Sequence, residues 1–160
     1  MAAAAAAPAD LRVYLLDSNL YIRAFTEAGF GQELRDFHRA NLPRLVLSAV
    51  VASELLVGAA SVASERALRR GLLEPFRARR RLHTPLWSTW EIATAIDRRM
   101  RRSPAMRTRL RQRSFFHDIL IAASARELGA TVVTLETADF GLITRFVDVT
   151  CVGPWPVPGE

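Results

Sequence analysis

Four acidic side chains lie beside apolar runs of the sequence, where an unpaired charge is costly. They are Asp17, Glu54, Asp118 and Asp139. Burying a carboxylate costs several kcal/mol unless a cation or hydrogen bonds compensate. Four such positions in one small protein suggest a common explanation, and a divalent cation shared by the four would supply it. We assign no histidine or thiol to this set, and oxygen ligands alone favour Mg²⁺ or Mn²⁺ over zinc.

The elements that must position these acids follow from the pattern of apolar residues. Short apolar runs typical of strands occur at Val13–Leu16, Leu45–Leu47, Thr131–Leu135 and Phe146–Val149. Longer helical patterns lie between most of these runs, as in parallel strands joined by helical crossovers. We therefore predict an α/β fold with a central, mostly parallel β-sheet of about four to five strands flanked by helices on both sides.

Ligands of parallel sheets bind at the carboxyl ends of the strands, and the acids fit that geometry. Asp17 directly follows the first strand, Glu54 lies in the helix after the second, and Asp139 lies just past the third. Asp118 is predicted to start a buried helix, which Gly129 closes in a left-handed cap. Right-handed crossovers between neighbouring strands would bring all four carboxylates to one edge of the sheet.

Each acid also has a structural alternative. Asp17, Asp118 and Asp139 could be helix caps, which is the commoner role of an aspartate at the start of a helix. Glu54 is harder to explain in this way, because its neighbours in the helix are almost entirely apolar. Other side chains serve as contrasts: Asp36, Asp97 and Asp148 are predicted to be solvated, and Trp87 and Trp90 to lie in the core.

Composition limits the class of protein. The 160 residues are half hydrophobic, which fits one compact domain over 11–150 after an alanine-rich leader (1–10) and before a proline-containing tail (151–160). The single cysteine, Cys151, rules out an internal disulfide framework and lacks the partners of a structural zinc site. No apolar run approaches the roughly 18 residues of a membrane span, so we expect a soluble, cytoplasmic protein.

The basic residues are unevenly distributed. All 22 are arginines, and the formal net charge is +6. The absence of lysine has a simple explanation in genomic base composition. The distribution says more, because eight arginines separate Asp97 from Asp118 without an intervening acid, and four more lie between Arg77 and Arg81. Such runs are often solvated helix faces, but beside an acidic metal site they favour nucleic-acid binding.

Four segments carry a family resemblance through their order and spacing. They are Leu15–Asn19, Ser48–Gly58, His117–Ala123 and Thr134–Phe140. With these segments the chain resembles PIN-domain ribonucleases, specifically the VapC-type toxins of bacterial toxin–antitoxin pairs, over Leu11–Val149. It departs from the family pattern at Glu136, where an asparagine is common, and this departure alters the charge of the site.

The resemblance implies a metal-dependent endoribonuclease that hydrolyses RNA phosphodiester bonds with Mg²⁺ or Mn²⁺. Asp17 and Asp118 would be the principal metal ligands, and Glu54 and Asp139 would complete the shell directly or through water. The remaining roles are implied for two groups: Ser18, Asn19 and Thr134 would orient the acids, and Arg98, Arg101, Arg102, Arg107 and Arg109 would contact RNA.

Partners are also implied by the resemblance. Relatives of this type are inhibited by a cognate antitoxin protein and commonly form homodimers, so both are expected here. The apolar residues of the helices over Leu20–Phe37 could provide the antitoxin surface, although core packing explains most of them equally well. Two alternatives stay open: a housekeeping nuclease in RNA maturation or DNA processing, and a non-catalytic nucleic-acid-binding module on the same fold.

Overall fold

A computed structural model describes residues 12–106 and 108–155. The predicted leader, Arg107 and the end of the tail lie outside these residues. The centre of the fold is a parallel sheet of five strands in the order β3-β2-β1-β4-β5. The strands are β1 (Val13–Leu16), β2 (Leu45–Ser48), β3 (Leu82–His83), β4 (Ala130–Val133) and β5 (Cys151–Val152). The predicted α/β class and parallel sheet are confirmed.

Helices connect successive strands and flank the sheet on both sides. They are α1 (Ser18–Thr26), α2 (Ala28–Asn41), α3 (Ala49–Val57), α4 (Val62–Leu68), α5 (Glu74–Ala78), α6 (Trp87–Met100), α7 (Arg113–Leu128) and α8 (Thr137–Ile143). In the described part of the chain, no helix has the length and apolar character that a membrane span requires.

The strand order creates a crevice between β1 and β4. From β1 the chain moves outward through β2 to β3, then returns to the other side of β1 for β4 and β5. Right-handed crossovers place the helices before β3 and those after it on opposite faces. The connections after β1 and after β4 therefore diverge, and this switch point is where open parallel sheets bind their ligands.

Burial explains why β1 and β4 were recognisable as strands. Tyr14, Leu15 and Leu16 are at most 1% exposed, and Val132 and Val133 are fully buried. A strand covered on both faces needs apolar side chains at successive positions, so it appears as a continuous run. Two other strands, β3 and β5, have only two residues each, which is too short to show such a pattern.

The last predicted strand and the start of the helix at Asp118 are wrong. The last strand is Cys151–Val152, which pairs with β4, whereas Phe146 lies in a turn and Val147 in a bend. Val147 is buried in the core, and this burial, rather than membership of a strand, accounts for an apolar residue at this position. The helix expected to start at Asp118 begins at Arg113, so Asp118 lies in its second turn and is not a helix cap.

Helix α6 also differs from the prediction in the face that it buries. Trp87 and Trp90 are 75% and 39% exposed, whereas Ala93, Ile96 and Met100 are at most 4% exposed and form its inner face. Asp97, which was predicted to be solvated, is only 9% exposed; it accepts a hydrogen bond from Arg101 Nε at 2.6 Å. This ion pair satisfies a carboxylate on the inner side of the helix.

Candidate active site

Asp17 lies at the carboxyl end of β1, on the switch point of the sheet. Its backbone N–H donates to the carbonyl of Val133 at 3.0 Å, which extends the β1–β4 pairing by one residue. The side chain is only 2% exposed. Its Oδ1 accepts from the backbone N–H of Ser18 at 2.7 Å, so Asp17 is the N-cap of α1 as well as a candidate ligand.

Asn19 and Thr134 hold the other oxygen of Asp17. Its Oδ2 accepts from Asn19 Nδ2 and from the Thr134 hydroxyl, both at 2.8 Å. The Thr134 hydroxyl in turn accepts from the backbone N–H of Glu136 at 3.0 Å. The hydrogen bond from Thr134 to Asp17 joins the end of β4 to the end of β1, so the orientation of Asp17 depends on correct pairing of the two strands.

Replacing Thr134 by valine tests this network. The change removes the hydroxyl that donates to Asp17 and leaves a buried carboxylate oxygen short of one donor, which costs about 1–3 kcal/mol. We expect the free energy of unfolding, measured by urea titration, to fall by about that amount. Thr131→Val, at a half-buried position of β4, is the matched control. Equal unfolding free energies for Thr134→Val and wild type would contradict the network.

Asp118 approaches the same crevice from α7. It is 8% exposed, and burial, together with the nearby charges of Asp17, Glu136 and Glu54, raises its pKa to about 8. Burial likewise raises the pKa of Asp17 to about 6, and Glu54 and Glu136 add to this effect against the hydrogen bonds from Thr134 and Ser18. The carboxylates are therefore close enough to repel one another.

Glu54 reaches the crevice from α3. Its Oε1 lies 2.8 Å from Nδ1 of His117 on α7, and its Oε2 is buried without a hydrogen-bond partner among the described residues. The sequence indicated that Glu54 was unusual but provided no signal for this contact. Whether a helix residue faces a particular neighbour depends on how the two helices pack, which the sequence pattern does not show.

Glu136 and Asp139 differ in their relation to the crevice. Glu136 is exposed at the N-terminus of α8, yet its charge raises the pKa of both Asp17 and Asp118. Asp139 lies in the first turn of α8 and forms an ion pair with Arg109. The structure thus groups Glu136 with Asp17, Glu54 and Asp118, and it gives Asp139 a cationic partner from the arginine-rich segment.

The predicted RNA-contacting arginines have different surroundings. Arg98 and Arg102 are exposed, whereas Arg101 pairs with Asp97 and Arg109 with Asp139. Arg107 lies outside the described residues. Exposed guanidinium groups keep their donors available for phosphate. Arg98 and Arg102 therefore have the surroundings expected of side chains that contact phosphate groups of RNA.

The acids meet the chemical requirements of a hydrated cation. Within residues 12–106 and 108–155, no three His, Cys, Asp or Glu side chains are close enough together to hold a metal ion directly. Mg²⁺ keeps several of its waters and usually takes only one or two carboxylates. The unpartnered Oε2 of Glu54 and the raised pKa values of Asp17 and Asp118 mark a site where negative charge is disfavoured, and a cation would stabilise the ionised carboxylates.

The fold and the site define an α/β protein with a cluster of acidic side chains at the carboxyl ends of its strands. Residues 14–141 match the model of the PIN domain. The chain therefore belongs to the PIN-domain family, whose members are nucleases. No curated protein matches it in sequence.

Solved structures show the same fold. FitAB bound to the IR36 DNA fragment matches with a TM-score of 0.63 and 20% identity, covering 89% of this chain and 96% of the other. DNA-bound VapBC from Salmonella typhimurium matches with a TM-score of 0.63 and 22% identity, covering 89% of this chain and 98% of the other. FitAcB from Neisseria gonorrhoeae matches with a TM-score of 0.64 and 22% identity, covering 91% of this chain and 100% of the other.

Proposed function

We propose that this protein is a divalent-metal-dependent endoribonuclease and the toxin of a type II toxin–antitoxin pair. The observation that carries the proposal is the buried carboxylate cluster at the switch point, in which the pKa of Asp118 is raised to about 8. Strongly perturbed acids in a crevice are typical of functional sites. Membership of the PIN-domain family supports the nuclease activity, and the likeness to the FitAB and VapBC complexes supports the toxin role.

The residues divide the work of hydrolysis between them. Asp17 and Asp118 would be the principal ligands of Mg²⁺ or Mn²⁺, with Glu54 and Asp139 completing the shell directly or through water. When bound, the cation polarises the scissile phosphate and lowers the pKa of an attacking water. Ser18, Asn19 and Thr134 keep Asp17 in one orientation through the hydrogen bonds described above.

The arginine-rich segment would hold the RNA backbone. The RNA-contacting set would be Arg98, Arg101, Arg102, Arg107 and Arg109. Each phosphate contact releases counterions, so the affinity for RNA should fall steeply as salt is added. The pair of Arg109 with Asp139 places one member of this set beside an acid of the site, where an incoming phosphate could compete for the guanidinium.

Cleavage assays test the nuclease proposal. Purified protein is incubated with single-stranded and structured RNA and with DNA, in Mg²⁺, in Mn²⁺ and in chelator, beside Asp17→Asn and Asp118→Asn. We expect RNA to be cut only with metal and only by wild type. Cleavage that survives the chelator or either substitution would contradict the mechanism, and preference for DNA would favour the alternative of a DNA-processing enzyme.

An apolar groove provides a surface for the antitoxin. It has a volume of about 910 Å³ between α1, α2, α3 and α4 and extends to Glu54. Its walls include Ile22 and Phe25, which are 53% and 67% exposed, and its rim includes Arg35 and Arg39. An occupant with apolar side chains and flanking acids would complement this groove and could cover one side of the catalytic acids.

The groove predicts how growth should respond to substitution. Induced expression of wild type should arrest growth, and coexpression of its cognate antitoxin should relieve the arrest. Phe25→Glu places a charge on the apolar wall and should abolish relief while cleavage persists. Val62→Glu, at a position 65% exposed outside the groove lining, is the control. If the coexpressed partner relieves the growth arrest caused by Phe25→Glu as completely as that caused by wild type, the partner binds elsewhere.

A second exposed apolar surface is proposed as the homodimer contact. Leu86, Trp87 and Trp90 are 60%, 75% and 39% exposed at the start of α6. Trp90 packs against Phe116 of α7, with ring centroids 6.2 Å apart. Buried aromatic side chains each remove roughly 150–250 Å² from water, so a symmetric contact through two tryptophans would bury a substantial area.

Sedimentation equilibrium tests the dimer. Trp87→Asp should sediment as a monomer, because the new charge would be buried against its symmetry mate. Phe25→Glu, in the antitoxin groove, should keep the wild-type mass. A monomeric wild type would refute the homodimer, and a dimeric Trp87→Asp would place its interface elsewhere.

A further inference from the structure

His117 precedes Asp118 on α7 but contacts a different acid. Its Nδ1 lies 2.8 Å from Oε1 of Glu54 on α3. A carboxylate oxygen accepts hydrogen bonds, so this contact is a hydrogen bond from His117 in the tautomer that carries the proton on Nδ1. The side chains are mostly buried, at 28% exposure for His117 and 18% for Glu54, so water competes only weakly for the contact.

The contact determines which oxygen of Glu54 is left for another ligand. Oε1 is occupied by His117, and Oε2 is buried with no hydrogen-bond partner in the described chain. A buried acceptor without a hydrogen-bond partner destabilises the protein. A cation, or a water bound to one, would satisfy Oε2 without disturbing the hydrogen bond at Oε1.

We propose that His117 is a positioning residue that holds the Glu54 carboxylate in place for a divalent cation. The inference rests on the proposed function, because it requires a metal at the acid cluster. Outer contacts that orient a ligating group contribute about 10–100-fold to metal affinity. Two consecutive residues of α7 then serve two acids of the site: His117 orients Glu54, and Asp118 supplies a carboxylate of its own.

Two substitutions separate this role from ordinary packing. Asparagine can place an amide N–H near the position of Nδ1, whereas phenylalanine fills the space of the ring without a donor. Loss of packing alone would lower the unfolding temperature and leave metal affinity intact. Loss of the donor alone would lower metal affinity in His117→Phe and spare it in His117→Asn.

Calorimetric titration of Mn²⁺ into metal-free protein measures the effect. We expect His117→Phe to bind Mn²⁺ about 10–100-fold more weakly than wild type and His117→Asn to stay close to wild type. The KM for RNA should be unchanged, and cleavage by His117→Phe should recover as Mn²⁺ is raised. Ser114→Ala, at an exposed position of the same helix, is the control, and unfolding temperatures are recorded on the same samples.

The outcomes distinguish this inference from the proposed function. The positioning role would be overturned if His117→Phe bound Mn²⁺ as tightly as wild type. It would also be overturned if His117→Asn lost as much affinity for Mn²⁺ as His117→Phe. A wild type that binds Mn²⁺ but cuts no RNA would contradict the nuclease proposal, and the comparison of the variants would still decide the role of His117. A wild type without affinity for Mn²⁺ would overturn both.

Discussion

Asp118→Asn is expected to abolish RNA cleavage and, at the same time, to stabilise the metal-free protein. Asp118 is only 8% exposed, and its pKa is raised to about 8, so its ionised form is disfavoured by the fold. Asparagine keeps the shape of the side chain and removes the charge. Each pKa unit of such a shift corresponds to about 1.4 kcal/mol, and part of the gain is offset because the buried amide must also be satisfied.

Asp118→Asn should lose most of its activity because it lacks the same carboxylate charge whose removal raises its stability. A cation at the site stabilises charge on the reacting phosphate by several kcal/mol, and every 1.4 kcal/mol is about tenfold in rate. We therefore expect cleavage to fall by about 10³-fold or more. The charge that costs stability in the metal-free protein is the charge that would hold the metal.

Urea unfolding at pH 8 in chelator and RNA cleavage in Mg²⁺ measure the two effects on the same preparations. Asp148→Asn removes an exposed acid and should change neither quantity. A less stable Asp118→Asn would contradict the repulsion between the acids, and substantial remaining cleavage would exclude Asp118 as a principal ligand.

The parts of the fold that were predictable from sequence depend on local signals. The predicted bounds of β1 match the structure at Val13–Leu16, because a strand buried on both faces is a continuous apolar run. Gly129 closes α7 in the left-handed conformation, with φ 61°, as its position after the last helical residue predicted. In each case the physical cause acts within a few residues of the chain.

The missed elements depend on distant partners. Strand β3 exists because Leu82 and His83 pair with β2, and two residues carry no periodicity of their own. The tryptophans of α6 are apolar and were predicted to be buried, yet the inner face of the helix is formed by Ala93, Ile96 and Met100. Which face of a helix packs inward is decided by its neighbours in space.

The candidate site shows the same division. Asp17 could be placed at the edge of the sheet because it directly follows a strand, and its partner Thr134 follows the strand beside it. The contacts of Glu54 with His117 and of Asp139 with Arg109 depend on how α3, α7 and the arginine-rich segment pack. Because sequence spacing does not encode those orientations, the role of Asp139 as a ligand stays a proposal.

The free energy of unfolding of the metal-free protein is expected to fall as the pH rises from about 6.5 to 8. Folding raises the pKa of Asp118 from 3.8 to about 8 and that of Asp17 from 3.8 to about 6. Between the unfolded and folded values the native state binds more protons than the unfolded chain, so stability decreases with pH. The stabilisation is complete below the unfolded pKa of 3.8 and is lost through pH 6 and then pH 8.

His38 opposes this trend only at lower pH. Its burial lowers the pKa from 6.5 to about 4, so its contribution makes stability rise with pH between those values. Above pH 6.5 that contribution is complete, and the decline that remains comes mainly from Asp118. Measurements between pH 6.5 and 8 therefore isolate the acid cluster, with an expected slope of at most about 1.4 kcal/mol per pH unit for one proton.

Urea titrations at several pH values in chelator check the slope, and two comparisons assign it. Asp118→Asn should remove the decline above pH 6.5, whereas Asp148→Asn should leave it unchanged. Added Mg²⁺ should act in the opposite sense, because metal binds ionised carboxylates and its stabilising effect grows as they lose their protons. A pH-independent stability in chelator would mean that the carboxylates do not interact, and the electrostatic case for a shared cation would then fail.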